Sequence, residues 1–111
     1  MNTTTAAVEH FVSKLGTAKG VARSRIWIEG DRLVRQGFTV GRRFDVTIAR
    51  HAETGATTLY LTLEDDGARK VSGKGDKPII DITGECVRGW FPESAAVAVT
   101  YGLGVITIQG A

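Results

Sequence analysis

The chain has 111 residues, 42% of them apolar and 23% charged, which is the composition of one ordinary globular domain. No apolar run nears the roughly 20 residues needed to span a bilayer. The opening Met1-Asn2-Thr3-Thr4-Thr5 lacks the basic and apolar regions of a secretory leader, so a cytoplasmic protein with no membrane partner is expected. The formal net charge is +2, but residues 1–60 carry nine Lys/Arg against five Asp/Glu and residues 61–111 carry five against seven. That imbalance predicts one cationic face.

Residues 1–22 read as a lead-in. Val8, Phe11, Val12 and Leu15 recur at helical spacing, so residues 6–15 predict either a short amphipathic helix or a partly ordered tail, ended by Gly16 and Gly20. Arg25-Ile26-Trp27-Ile28 is β-branched and aromatic, a strand signal, and Gly30 breaks it. Asp31 is a suitable N-cap for a short helix over residues 32–36, and Gly37 suits its end. After a turn at residues 39–41, Phe44, Val46 and Ile48 alternate with Arg43, Asp45 and Thr47. Leu59, Leu61 and Leu63 alternate in the same way after a polar loop at residues 51–56, so the two runs predict a hairpin with these six apolar residues inward.

Residues 64–77 are charged, Gly-rich and almost devoid of apolar side chains, and predict a linker or exposed loop. The pattern then restarts. Residues 78–82 form a strand, Gly84 breaks it, residues 85–88 make a short helical turn, and Trp90-Phe91 follows. Val97, Val99 and Tyr101 alternate, Gly102-Leu103-Gly104 turns the chain, and residues 105–108 close a second hairpin.

The two patterns superimpose. Ile26, Ile28 and Gly30 fall on Ile80, Ile82 and Gly84 at an offset of 54, and Leu33 falls on Val87. One residue fewer near Gln36 makes the offset 53, and Phe38, Phe44, Val46 and Thr47 then meet Phe91, Val97, Val99 and Thr100. One such unit cannot bury two apolar faces alone, but two can pair strands and close a small barrel. The expected fold is mostly β: two tandem β-α-β-β repeats in one intertwined domain. Residues 1–22 are the lead-in, 23–63 the first repeat, 64–77 the linker and 78–111 a second, degenerate repeat. One chain would supply both halves of a pseudo-dimer.

No catalytic constellation stands out, and no enzyme, cofactor or small-molecule substrate is expected. The sequence has no HxxxH, CxxC, GxSxG or P-loop pattern. Cys86 is the single cysteine, far in sequence from His10 and His51, and is expected to be a buried, inert thiol with no metal role. Glu64-Asp65-Asp66 reads as a solvated edge, and His51 as an idle loop histidine. Lys74 and Lys77 read as solubilising charges among nearby acids.

The basic set is more informative. Arg23, Arg25, Arg32, Arg35, Arg42, Arg43 and Arg50 lie at or near element ends in the first repeat. Their planar guanidinium forks suit bidentate contact with phosphate or guanine, so they are the candidate DNA-binding residues. Trp27 reads as a half-buried surface residue. The second repeat offers only Arg88 in the matching region, with Glu85 and Glu93 nearby. It is therefore a candidate dimerisation or protein-interaction face with Trp90 and Phe91 as anchors.

The run from Ile26 to Gly41, Ile-Trp-Ile-Glu-Gly-Asp-Arg-Leu-Val-Arg-Gln-Gly-Phe-Thr-Val-Gly, followed by Phe44-Asp45-Val46, resembles the SymE-like toxin family of the AbrB-like swapped-hairpin superfamily. The resemblance covers residues 25–63 well. In residues 78–108, Trp90-Phe91-Pro92 replaces the Gly-Phe pair and Ser94 stands where Gly would be. It implies a swapped-hairpin, double-psi-like barrel and DNA binding of a regulatory, nucleoid-associated or toxin-like kind. Two alternatives accompany it. One is a protein-interaction module or inhibitor from a mobile element. The other is an RNA-targeting toxin of a toxin-antitoxin system.

Overall fold

The computed structural model describes residues 9–111. The chain is mostly β, with ten strands and two one-turn helices among these residues. In order they are β1 (Glu9–Lys14), β2 (Gly16–Ala18), β3 (Val21–Glu29), α1 (Asp31–Arg35), β4 (Arg43–Arg50), β5 (Thr57–Leu63), β6 (Arg69–Lys70), β7 (Ser72–Lys74), β8 (Lys77–Thr83), α2 (Glu85–Trp90), β9 (Ala96–Gly102) and β10 (Val105–Gly110). They build a six-stranded sheet in the order β1-β9-β10-β5-β4-β6 and a four-stranded sheet in the order β2-β3-β8-β7, with every described pairing antiparallel.

Exchanging β1–β5 and α1 for β6–β10 and α2 leaves both strand orders unchanged apart from reversal. The registers obey the same exchange. Ile26 faces Ile82 and Ile28 faces Ile80 about the central pair Trp27–Asp81. Leu59 faces Ile108 and Leu61 faces Ile106 about Tyr60–Thr107. The bends between the sheets match too: the Leu15 N–H donates to the Ala95 carbonyl and the Val71 N–H to the Arg42 carbonyl, both at 2.9 Å. Each half thus lends a strand to the other.

The shared glycine has a backbone cause. Gly30 and Gly84 precede α1 and α2 at φ 104° and 130°, where a Cβ would be strained. Their N–H groups donate to Pro78 and Ser24 carbonyls on the opposite half. The helices then turn Leu33 and Val87, both 0% exposed, into the core. Asp31 opens α1 instead of capping it, since Gly30 is the N-cap and no side chain caps this helix.

One core joins the sheets. It includes Leu15, Ile26, Ile28, Leu33, Phe38, Phe44, Leu59 and Leu61 with their counterparts from the second half, Val71 matching Leu15. Each fully buried Leu, Ile or Phe contributes about 1.5–3 kcal/mol relative to exposure.

Several expectations change. The helix expected over residues 6–15 is strand from Glu9 to Lys14; its first three residues lie outside the described ones. Helical spacing loses because β9 offers β1 a six-residue ladder, and Glu9, Phe11 and Ser13 share the side facing the core. The linker expected over residues 64–77 contains β6 and β7, and its one large apolar residue, Val71, is 1% exposed. Their backbone ladders form without apolar alternation, so periodicity alone misses them. Ile48 is 50% exposed although its alternation pointed inward. Cys86 is exposed, because the single turn of α2 gives its inward position to Val87.

Candidate nucleic-acid interface

The first-repeat arginines do not form one cationic cluster. Arg25 stacks 4.5 Å above the Trp27 ring and donates through Nε and Nη2 to both Asp81 carboxylate oxygens, at 2.9 and 2.8 Å. Arg35 makes the same fork with Glu9, at 3.1 and 2.8 Å. Arg32 lies 4.0 Å from Glu9 and 4.3 Å above the Phe11 ring. These three guanidinium groups are therefore engaged with carboxylates of the chain itself. The Arg35 hydrogen bonds hold the Glu9 carboxyl below the usual carboxylate range, with Arg32 and the Gln36 side chain acting in the same direction.

The other four divide. Arg23 reaches the Pro92 carbonyl at 3.0 Å, and Arg50 reaches the Gly55 carbonyl at 3.4 Å. Arg42 and Arg43 are exposed at the start of β4, with Arg43 donating to the Gly67 carbonyl at 3.0 Å.

Around these two the fold assembles cations from residues 69–77, a segment whose composition predicts a linker. β6 pairs with β4 so that Lys70 faces Arg43 and Arg69 faces Phe44. The Val71 N–H bonds to the Arg42 carbonyl and the Gly41 N–H to the Val71 carbonyl, which holds β7 beside the turn. Lys74 and Lys77 face each other across the β7–β8 hairpin. The result is a basic edge where Arg42, Arg43, Arg69 and Lys70 lie together at the start of β4, continued along the chain into the other sheet by Lys74 and Lys77; all six are exposed. The acids beside the edge are Asp76 at the hairpin tip, Asp45, whose side chain accepts from the Ala68 N–H, and Glu64, whose N–H meets the Arg43 carbonyl. None of the six joins an ion pair among the described residues, whose pairs are Arg25–Asp81, Arg32–Glu9 and Arg35–Glu9. Charge density in residues 69–77 was the available signal; strand pairing to Arg43 was not visible.

The edge has no equal on the other half. The positions matching Arg42, Arg43, Arg69, Lys70 and Lys77 are Ala95, Ala96, Ser13, Lys14 and Arg23, two cations against five.

No protein-family model, curated protein or solved structure matches the chain. The site is thus read from its own chemistry. Trp90 is half-buried and packs on the core, while Phe91 is 3% exposed. Phe91 corrects its expected role as a docking anchor: it occupies the place of Phe38 and cannot leave the core for a partner. Among the described residues no three His, Cys, Asp or Glu side chains gather as a metal site, and no helix is long and apolar enough to cross a membrane.

Proposed function

We propose that this chain binds nucleic acid, duplex DNA foremost, through the basic edge formed by Arg42, Arg43, Arg69, Lys70, Lys74 and Lys77. The observation that carries the reading is the β4–β6 pairing. It places Arg43 beside Lys70, cations from two distant segments, and neither joins an ion pair among the described residues. Such a surface neutralises phosphates and releases condensed counterions. The resemblance of residues 25–63 to SymE-like proteins supports the same class of ligand. The sites shift from Arg25, Arg32 and Arg35, whose charge is met internally, to the edge.

One basic edge on a two-half chain favours one contact per chain over palindrome recognition, which calls for two equal faces. A gel shift on random duplex DNA at low and raised salt tests the reading. Four phosphate contacts give a log-log slope of about −3 to −4. No retardation at low salt overturns it.

A further inference from the structure

The exchange of halves fails at one place. β1 runs along β9 over the six pairs from Lys14–Ala96 to Glu9–Tyr101, whereas β6 accompanies β4 only at Arg43 and Phe44. The chain approaching β6 crosses β4 instead of following it. The Ala68 N–H donates to the Asp45 side chain at 2.8 Å, and Gly67 presses so close to Phe44 that an added Cβ would lie 2.6 Å from its carbonyl carbon. Residues 46–50 therefore pair with β5 on one side and with no described strand on the other. Burial records the gap. Val99 and Tyr101, covered by β1, are 1% and 2% exposed; their counterparts Val46 and Ile48 are partly buried and 50% exposed.

We propose that this open edge of β4, residues 46–50, accepts an extended strand from a partner protein, added antiparallel in the position that β1 holds on β9. Unpaired edge N–H and C=O groups supply the main-chain bonds, and alternate side chains supply selection. β1 defines the chemistry. Phe11 faces Val99 and Glu9 faces Tyr101, so the incoming strand sets an aromatic or branched residue against Val46 and an acidic residue at the Ile48 level. Arg50, two residues beyond Ile48 on the same face of the edge strand, favours that acid. The β4 of a second copy fits poorly, because paired antiparallel about Ile48 it sets Arg50 against Val46 and offers no acid at the Ile48 level. This site is separate from the nucleic-acid reading and stands without it.

The probe is a capped peptide Ala-Val-Glu-His-Phe, which in the β1 register sets Phe against Val46 and Glu against Ile48 and stops short of the positions β6 covers, titrated into the isotope-labelled full chain. Saturable amide shifts and slowed hydrogen exchange at residues 46–50 are expected. Replacing the peptide phenylalanine by serine, or making Ile48→Glu, which sets like charge against the peptide's acid, weakens binding about tenfold. Ile48 is half-exposed, so a thermal melt confirms that this variant folds. Three results overturn the proposal: no shifts at millimolar peptide, shifts at β9 from displaced β1, or concentration-dependent self-association through β4 in sedimentation.

Discussion

Trp27 and Asp81 occupy equivalent positions in the two halves and are ladder partners of each other. The pseudo-twofold relation passes between them. The two halves differ there: Asp81 forks with Arg25, whose guanidinium lies over the indole. This pairing explains why Arg25 no longer offers a free charge, and it sets the contrast among the arginines.

That contrast is measurable. Arg42→Ala, Arg43→Ala, Arg69→Ala and Lys70→Ala should each weaken duplex binding and flatten the salt slope by about 0.9. Arg25→Ala and Arg35→Ala should leave the slope unchanged. Equal effects from both sets, measured by fluorescence anisotropy across a salt series, would remove the edge from its role.

Glu9 should give a pH-dependent contribution to stability. Its folded pKa is depressed, chiefly by the Arg35 hydrogen bonds. The contribution is therefore complete above the ordinary value of 4.5 and disappears as pH falls through the lower folded value. Glu9→Gln should lower the melting temperature at neutral pH, with the gap from the parent closing as pH falls through the depressed folded value. A gap of constant size across that range would contradict the link.

Val71→Ala should cost about 1.5–3 kcal/mol, because the side chain is 1% exposed at the bend between the sheets. Val12→Ala, at 62% exposure, should change little. Urea titrations compare the two directly. Equal midpoints would return residues 64–77 to the status of a loose connector.

Gly67→Ala should destabilise by about 1–3 kcal/mol, since the new methyl would meet the Phe44 backbone, which cannot rotate away as a side chain can. Calorimetry showing an unchanged melting temperature would mean that the crossing over β4 is looser than described.

Much of the core was legible before any fold was in hand. Ile26, Ile28, Leu59, Leu61, Val97, Val99 and Tyr101 alternate and are buried, because a strand with one face on a core must alternate. Phe11, Val12 and Leu15 misled, because their spacing suits a helix while β1 is held by its ladder to β9. Residues 69–74 misled in the opposite way: they looked unstructured because edge strands with polar side chains leave no period in the sequence.

The amino-acid order by itself determined the two-copy arrangement of apolar positions, the glycines before each short helix and the total supply of cations. These are local properties, set by side-chain type and backbone freedom. Only the tertiary structure decided which cations remain unpaired. Glu9 lies 26 residues from Arg35, and Asp81 lies 56 from Arg25. Contacts across such separations depend on how the halves interlock, and so on a register that neither half encodes alone.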